Sequence, residues 1–377
     1  MDMFHKGLWF QHYKQSKYIL WALWLVAAFS GFQLLSHANN VVVNIESSLK
    51  NNYKFEYNFN ADLEMVSILQ LLICIGLPAF LVGFNRTNQT LEYMYAMPVK
   101  REHIFVSKWM LGIVHIIGST TVGLLIQLIV IHSTILNNYL TDGLFWIYYL
   151  QQLIILSAVF SFSLWLGFIG GSFLSQAAYS VIFLLLPSVL FGLVKEMVSL
   201  HYFAFGVTNI RDAWFFSMTL DPYFQNISFP LKLLKISEWF RVASHPNRGG
   251  SEEYIELIRQ TYYGWMSFLV PLLVTLGSVW GMLRMAVTAR NENNGKVLLN
   301  NKLRPYLVAG VVMCAFLFGG AVLEGTLGNH YYGSDGTEHG RYVENIAIYY
   351  AAALGSAGIG YYLIKKWLGS KQQLSKN

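Results

Sequence analysis

A chain of 377 residues that is 55% hydrophobic and 12% charged carries about half the charge of an ordinary soluble domain. Disorder needs the opposite balance, and a water-soluble enzyme needs a more polar surface. The net charge of +6 gathers on no soluble segment, which excludes a nucleic-acid footprint and leaves a polytopic membrane protein.

A hydrocarbon core of about 30 Å asks for roughly 20 apolar residues in a helix. Eight stretches supply them, at 18–37, 65–84, 109–136, 144–171, 178–197, 264–287, 307–325 and 346–367. Unpaired backbone cannot face lipid, so the expected fold class is all-α, a polytopic bundle of eight transmembrane helices. The chain is expected to divide at 1–197, 198–263 and 264–377, the middle piece being extracellular. Cys74 and Cys314 fall inside spans, so no disulfide framework is expected.

Basic residues orient the bundle. With the N-terminal tail inside, Lys6, Lys14, Lys17, Arg86, Lys100, Arg101 and Lys108 all fall on the cytoplasmic side. So do Arg284, Arg290, Lys296, Lys302, Arg304 and the C-terminal Lys365, Lys366, Lys371 and Lys376. The short outer loops hold only Lys50, Lys54 and Arg341, so both chain ends are expected in the cytoplasm.

In chain order, the tail comes first. Phe4, Leu8 and Gln11 share one helical face, with Trp9 and Tyr13 beside it. This predicts a short amphipathic helix lying in the inner interface against membrane lipid. The first apolar stretch that follows is not a cleavable signal, since no small-residue cleavage pattern comes after it.

The loop 85–108 is the most informative stretch. Thr90 can cap a short helix with Glu92 in its first turn, and Leu91, Met94 and Tyr95 then share one apolar face. Pro98 breaks this helix at Met97, and a second helix restarts from Val99 into the third span. A short apolar-faced helix joined to a transmembrane helix suits docking into a groove on a soluble partner.

Glu92, Met94, Pro98, Arg101 and Ser107-Lys108 stand in the order found in the corresponding loop of ABC transporter permease subunits of the type-2 exporter class. The chain resembles that family, with Lys100 where Ser or Thr often precedes the Arg. Its eight spans are similar to the larger permeases of Gram-positive bacteria, which implies a bacterial plasma membrane. The resemblance implies that the loop is a coupling helix, with Leu91, Glu92, Met94, Tyr95, Pro98 and Arg101 as the ATPase-coupling residues. It further implies ABC ATPase subunits as partners, ATP bound by those subunits, and a second permease copy or paralogue.

Polar residues within spans are the next feature. His115 and Gln127 on the third span are candidates for a translocation path, and helix-to-helix hydrogen bonding is the alternative use. The Gly167-x-x-x-Gly171 pair and Gly355, Gly358 and Gly360 allow close helix approach. The 198–263 segment is dense in aromatics, among them Tyr223, Phe224, Phe229, Trp239 and Phe240. They predict packing over the spans, or else a site for a hydrophobic substrate. The loop 288–306 is polar and receives no role.

No Walker-type G-x-x-x-x-G-K-[ST] loop, H-E-x-x-H or C-x-x-C occurs, and His330, Asp335, Glu338 and His339 fit no standard metal spacing. No cofactor, metal or catalytic site is therefore expected in this chain. The expected function is that of a non-enzymatic permease subunit exporting a hydrophobic or amphipathic substrate such as a peptide, antibiotic or lipid. The alternative is a non-transporting sensor or mechanical transmitter driven by an ABC ATPase.

Overall fold

The computed structural model describes residues 6–88, 90–204, 220, 223–244, 264–288, 298–299, 303–328, 330–332, 338–340 and 342–373. The protein is an all-α, multi-pass membrane protein with, among the described residues, eight helices long and apolar enough to cross a bilayer. They are α1 (Lys6–Lys50), α2 (Leu63–Thr87), α4 (Arg101–Ser133), α5 (Asp142–Leu166), α6 (Phe173–Ala204), α9 (Met266–Thr288), α10 (Arg304–Leu327) and α11 (Tyr342–Gln373). Among the described residues between them lie the short helices α3 (Thr90–Tyr95), α7 (Pro230–Leu234) and α8 (Ile236–Ser244).

By contacts the chain divides into two compact units, one comprising 1–184 with 225–295 and the other 185–224 with 296–377. The division falls within α6, next to Pro187, which deprives the helix of one backbone donor.

In the first unit α4 packs on α1 and α5, and α9 lies against α5 and α4. The expected interfacial helix is not a separate element, because α1 runs without a break from Lys6. Its buried stripe is Leu8, His12, Ser16, Leu20, Leu23, Ala27, Ser30, Leu34, His37 and Val41, steps of three and four that keep one face inward. Gln11, expected on that face, is exposed. α4 meets α5 so closely that a Cβ at Gly112 would fall 2.0 Å from the Phe160 ring.

The fourth span ends at Leu166, short of the expected 171. Gly167 and Gly170 lie in the turn that follows, where a Cβ on either would come within 3.0 Å of Gln176. Gly167 and Gly170 therefore serve a tight chain reversal around Gln176, and Gly167 also lets Val82 of α2 approach, a Cβ there falling 2.9 Å from that side chain.

At the far end of the first unit an aromatic layer closes the bundle. Phe240 of α8 stacks on Phe59 at 4.7 Å between ring centres and touches Phe145 at 5.0 Å, Tyr148 at 5.7 Å and Trp239 at 4.8 Å. Tyr57 stacks flat on Tyr139 at 4.6 Å, and His37 Nε2 lies 3.1 Å from the Tyr57 hydroxyl. Phe229, Trp239 and Phe240 are buried, so these three aromatics of the 198–263 segment pack over the spans. Tyr223 is exposed, Phe224 stacks on Phe191, and 205–219 and 245–263 lie outside the described residues.

In the second unit α10 and α11 pair along their length. A Cβ at Gly320 would press to 2.7 Å from the Tyr349 ring, and one at Gly360 to 2.9 Å from Ala315. Of the three expected contact glycines on α11, Gly360 alone is used this way; Gly355 and Gly358 have open space beside them. The connection carries a two-stranded antiparallel ladder, His330–Tyr332 against Glu338–Gly340.

The packing predicts opposite outcomes for two helical glycines. Gly112→Ala should destabilise the protein by about 1–3 kcal/mol, because the buried Phe160 ring cannot yield. Gly76→Ala meets nothing within 4 Å and should be neutral or stabilising by up to about 1 kcal/mol. Thermal unfolding midpoints in one detergent check both.

Candidate functional site

The loop 85–108 is built around a single carbonyl. The last turns of α2 widen into a π-helical stretch, Ala79–Phe84, and Leu81 lies inside it. Lys108 of α4 is fully buried, and its ammonium donates to the Leu81 carbonyl at 2.7 Å. The Asn85 amide donates to the same oxygen at 2.8 Å. Gln15 of α1 donates in turn to Asn85 Oδ1 at 2.5 Å, and the Thr90 hydroxyl donates to the Asn85 carbonyl at 3.1 Å. Thr90 is thus the first helical residue of α3, tied back to α2, instead of the expected N-cap.

Two more contacts bring in the start of α6. The backbone N–H of Phe173 donates to Thr87 Oγ1 at 3.3 Å. A Cβ at Gly83 would lie 2.7 Å from the Phe173 backbone, so only glycine permits this approach. Buried Arg86 holds its guanidinium 5.5 Å from the Phe168 ring centre, and Phe168 packs on Phe105 of α4 at 4.5 Å. Neither Arg86 nor Lys108 forms an ion pair among the described residues. Four other helices, α1, α2, α4 and α6, therefore converge on the root of α3.

The faces of α3 run opposite to the docking expectation. Leu91 is 0% exposed and Met94 3%, both within the chain's own hydrophobic core. Tyr95 is half-buried beneath Arg101, whose guanidinium lies 4.5 Å from the ring centre. Burial raises the Tyr95 phenol above its ordinary value, with Arg86 and Arg101 pulling the other way. Outward stand Tyr93, 75% exposed, Met97, 37% exposed, and Pro98. The Glu92 side chain lies outside the described residues.

His115 and Gln127 sit in the interface between α4 and α1. His115 stacks on Tyr13 at 6.1 Å and meets Trp24 edge-on at 6.5 Å, with Nδ1 2.8 Å from the Leu111 carbonyl. Buried Gln127 donates to Ser30 Oγ at 2.9 Å. Both serve helix-to-helix contacts.

A second polar cluster crosses the first unit near its aromatic layer. Gln152 donates to Gln70 of α2 and to the Tyr148 hydroxyl at 3.2 Å. Gln151 lies 3.5 Å from Ser267 Oγ of α9, which also accepts from the ammonium of Lys232 on α7 at 2.8 Å. Lys232 donates to Asn226 as well, and burial lowers its pKa from 10.5 to about 7. Lys232 sits in a short apolar run, Pro230–Leu234, where a lysine is unusual enough to have marked the site.

Comparison with protein-family models, with curated proteins and with solved structures gives no match.

Two outcomes follow from these clusters. Asn85→Leu removes the side chain that accepts from Gln15 and Thr90 and donates to Leu81, so amides 90–97 should exchange hydrogen faster, by at least about tenfold, while α10 and α11 are unchanged. Hydrogen-exchange mass spectrometry reads this directly. Lys232 is held neutral in the fold above about pH 7, while the unfolded chain keeps its proton up to about 10.5. The unfolded state then binds more protons across that window, so stability rises with pH through it. The unfolding temperature of the wild-type chain, minus that of Lys232→Met, should increase from pH 7 to pH 10.

Proposed function

We infer that this chain is the membrane-spanning subunit of an ATP-driven export complex of the ABC class, driven by separate ATPase subunits. The observation that carries the reading is α3, a short helix anchored through Asn85, Thr87 and Lys108 to α1, α2, α4 and the start of α6, with Tyr93 and Met97 facing outward. A partner that closes on ATP needs a stiff handle of this kind, because a yielding loop would dissipate the stroke before it reached the spans. The order Glu92, Met94, Pro98, Arg101 and Ser107-Lys108, similar to exporter permeases, supports the same reading.

In this reading Leu91 and Met94 hold the handle to the bundle, and Tyr93, Met97 and Pro98 meet the ATPase. The loop then lies on the cytoplasmic side of a bacterial plasma membrane, as the distribution of lysine and arginine favours. ATP stays with the ATPase subunits, and a second permease copy or paralogue completes the complex. The transported species is hydrophobic or amphipathic, a peptide, an antibiotic or a lipid.

One observation favours a second reading, a sensor or mechanical transmitter driven by the same kind of ATPase. His115, Gln127, Gln151 and Gln152 make contacts within the bundle, so a stroke would go into moving the bundle's own ends.

Tyr93→Asp and Met97→Asp should each weaken co-purification with the cognate ATPase by about tenfold or more while leaving the chain's own melting temperature unchanged. Leu91→Asp, by contrast, should lower the melting temperature, since its side chain is buried within the fold. Unaltered co-purification of both surface variants would overturn the handle. ATP-dependent solute movement in reconstituted vesicles separates export from transmission.

A further inference from the structure

Beyond His37 the inward stripe of α1 changes character. Asn44 and Ser48 continue its steps of three and four, with Asn40 and Ser47 beside them, so a mostly apolar face becomes one of amides and hydroxyls. The helix ends at Lys50 and the chain reverses through Asn52, at a φ of 58°, a left-handed conformation that asparagine tolerates. The N–H of Tyr53 closes the reversal on the Ser48 carbonyl at 2.9 Å.

The returning segment alternates. Tyr57 and Phe59 are buried in the aromatic layer, and Asn58 and Asn60 turn to the other side, toward α1. Between the two polar walls lies a cleft of about 260 Å³. Val41 and Phe55 supply its apolar part, and Glu56, the one carboxylate of the lining, is engaged by a contact of its own. Elsewhere in this unit facing amides bond directly, as Gln15 does with Asn85 and Gln152 with Gln70. Among the described residues no hydrogen bond joins the four carboxamides of the cleft to one another or to its serines. The walls are held apart, by the α1 stripe on one side and the aromatic layer on the other.

The lining selects the ligand. It has no lysine or arginine for an anion, and no group of His, Cys, Asp or Glu suited to a metal ion forms among the described residues. A carboxamide offers a donor and an acceptor side by side, and two neighbouring hydroxyls return the same pair without charge. The volume is that of about nine water molecules at roughly 30 Å³ each, room for one six-membered ring with its hydroxyls.

We propose that the cleft between the end of α1 and residues 55–60 binds one neutral sugar ring, its hydroxyls shared among Asn40, Asn44, Asn58 and Asn60 and its C–H face on Val41 and Phe55. It lies at the opposite end of α1 from Gln15 and α3, on the side that the distribution of lysine and arginine favours as external. The site is independent of the ATPase reading and stands in either of the two functions proposed above.

The test uses the full chain in phosphatidylcholine nanodiscs free of sugar-headed detergent, with methyl β-glucopyranoside as the probe and saturation-transfer NMR as the readout. Saturation should pass from the protein to the ring protons. Asn44→Leu combined with Asn58→Leu should lower that signal by about fivefold or more, since each removes a donor and an acceptor. Ser47→Trp, which fills the cleft from an exposed position, should lower it as far. Glu46→Trp, exposed on the same turn but outside the cleft, should leave it unchanged. Melting temperatures equal to that of the wild type show that the variants fold. Glucosyl diacylglycerol built into the disc separates two sources of the ring: competition with the free glucoside assigns it to a lipid headgroup, and no competition to a soluble glycan. No saturation of the glucoside, or a signal that the folded double variant and Ser47→Trp leave intact, overturns the proposal.

Discussion

An ammonium group taken out of water has to be met by oxygen, and at Lys108 that oxygen belongs to the backbone of another helix. Desolvating such a charge costs several kcal/mol even after relaxation, so the contact with Leu81 cannot be given up without replacement. It fixes the start of α4 against the end of α2, and α3 lies between these two ends. Asn85 shares the same carbonyl and is itself held by Gln15 and Thr90, so the constraint reaches α1 and α3 through side chains. The π-helical turn around Leu81 belongs to the same arrangement, a local departure from α-geometry of the sort that recurs at working parts of helices.

The other end of the first unit answers the same requirement differently. There the buried amine is Lys232, and its oxygens come from Asn226 and Ser267 side chains. Flat aromatic faces around Phe240 exclude water from the layer, and the amides of Gln70, Gln151 and Gln152 bond within it. One end is held by a charge on a carbonyl, the other by stacked rings with a seam of amides. The first presents an exposed Tyr93; the second is closed over by α8.

How much of this was legible varied with the physical signal. All eight spans could be found because hydrophobic length is a strong signal, but their ends could not. The helix restart after Pro98 was legible and α4 begins at Arg101, but nothing in composition says that Lys108 near its start is buried. The end of α1 after His37 is too polar to count as part of a span, yet the helix runs on to Lys50. For α3, the i, i+3 spacing of Leu91 and Met94 correctly signals an apolar face. It cannot say whether that face meets a partner or the chain's own core, because both contacts demand the same residues. Buried amide pairs such as Gln127 with Ser30 leave no local trace, their partners lying 97 positions apart.

The length of α1 sets the scale on which these two ends are coupled. Its 45 residues extend about 68 Å, more than twice the hydrocarbon thickness of a bilayer. Near one tip Gln15 holds Asn85 beneath the handle, and towards the other His37 meets Tyr57 in the aromatic layer. A helix of that length is a lever arm: pivoting by about 10° at mid-membrane sweeps each tip through about 6 Å, comparable to one helical turn. Small angular changes at the membrane centre therefore become large excursions at both surfaces, in opposite directions.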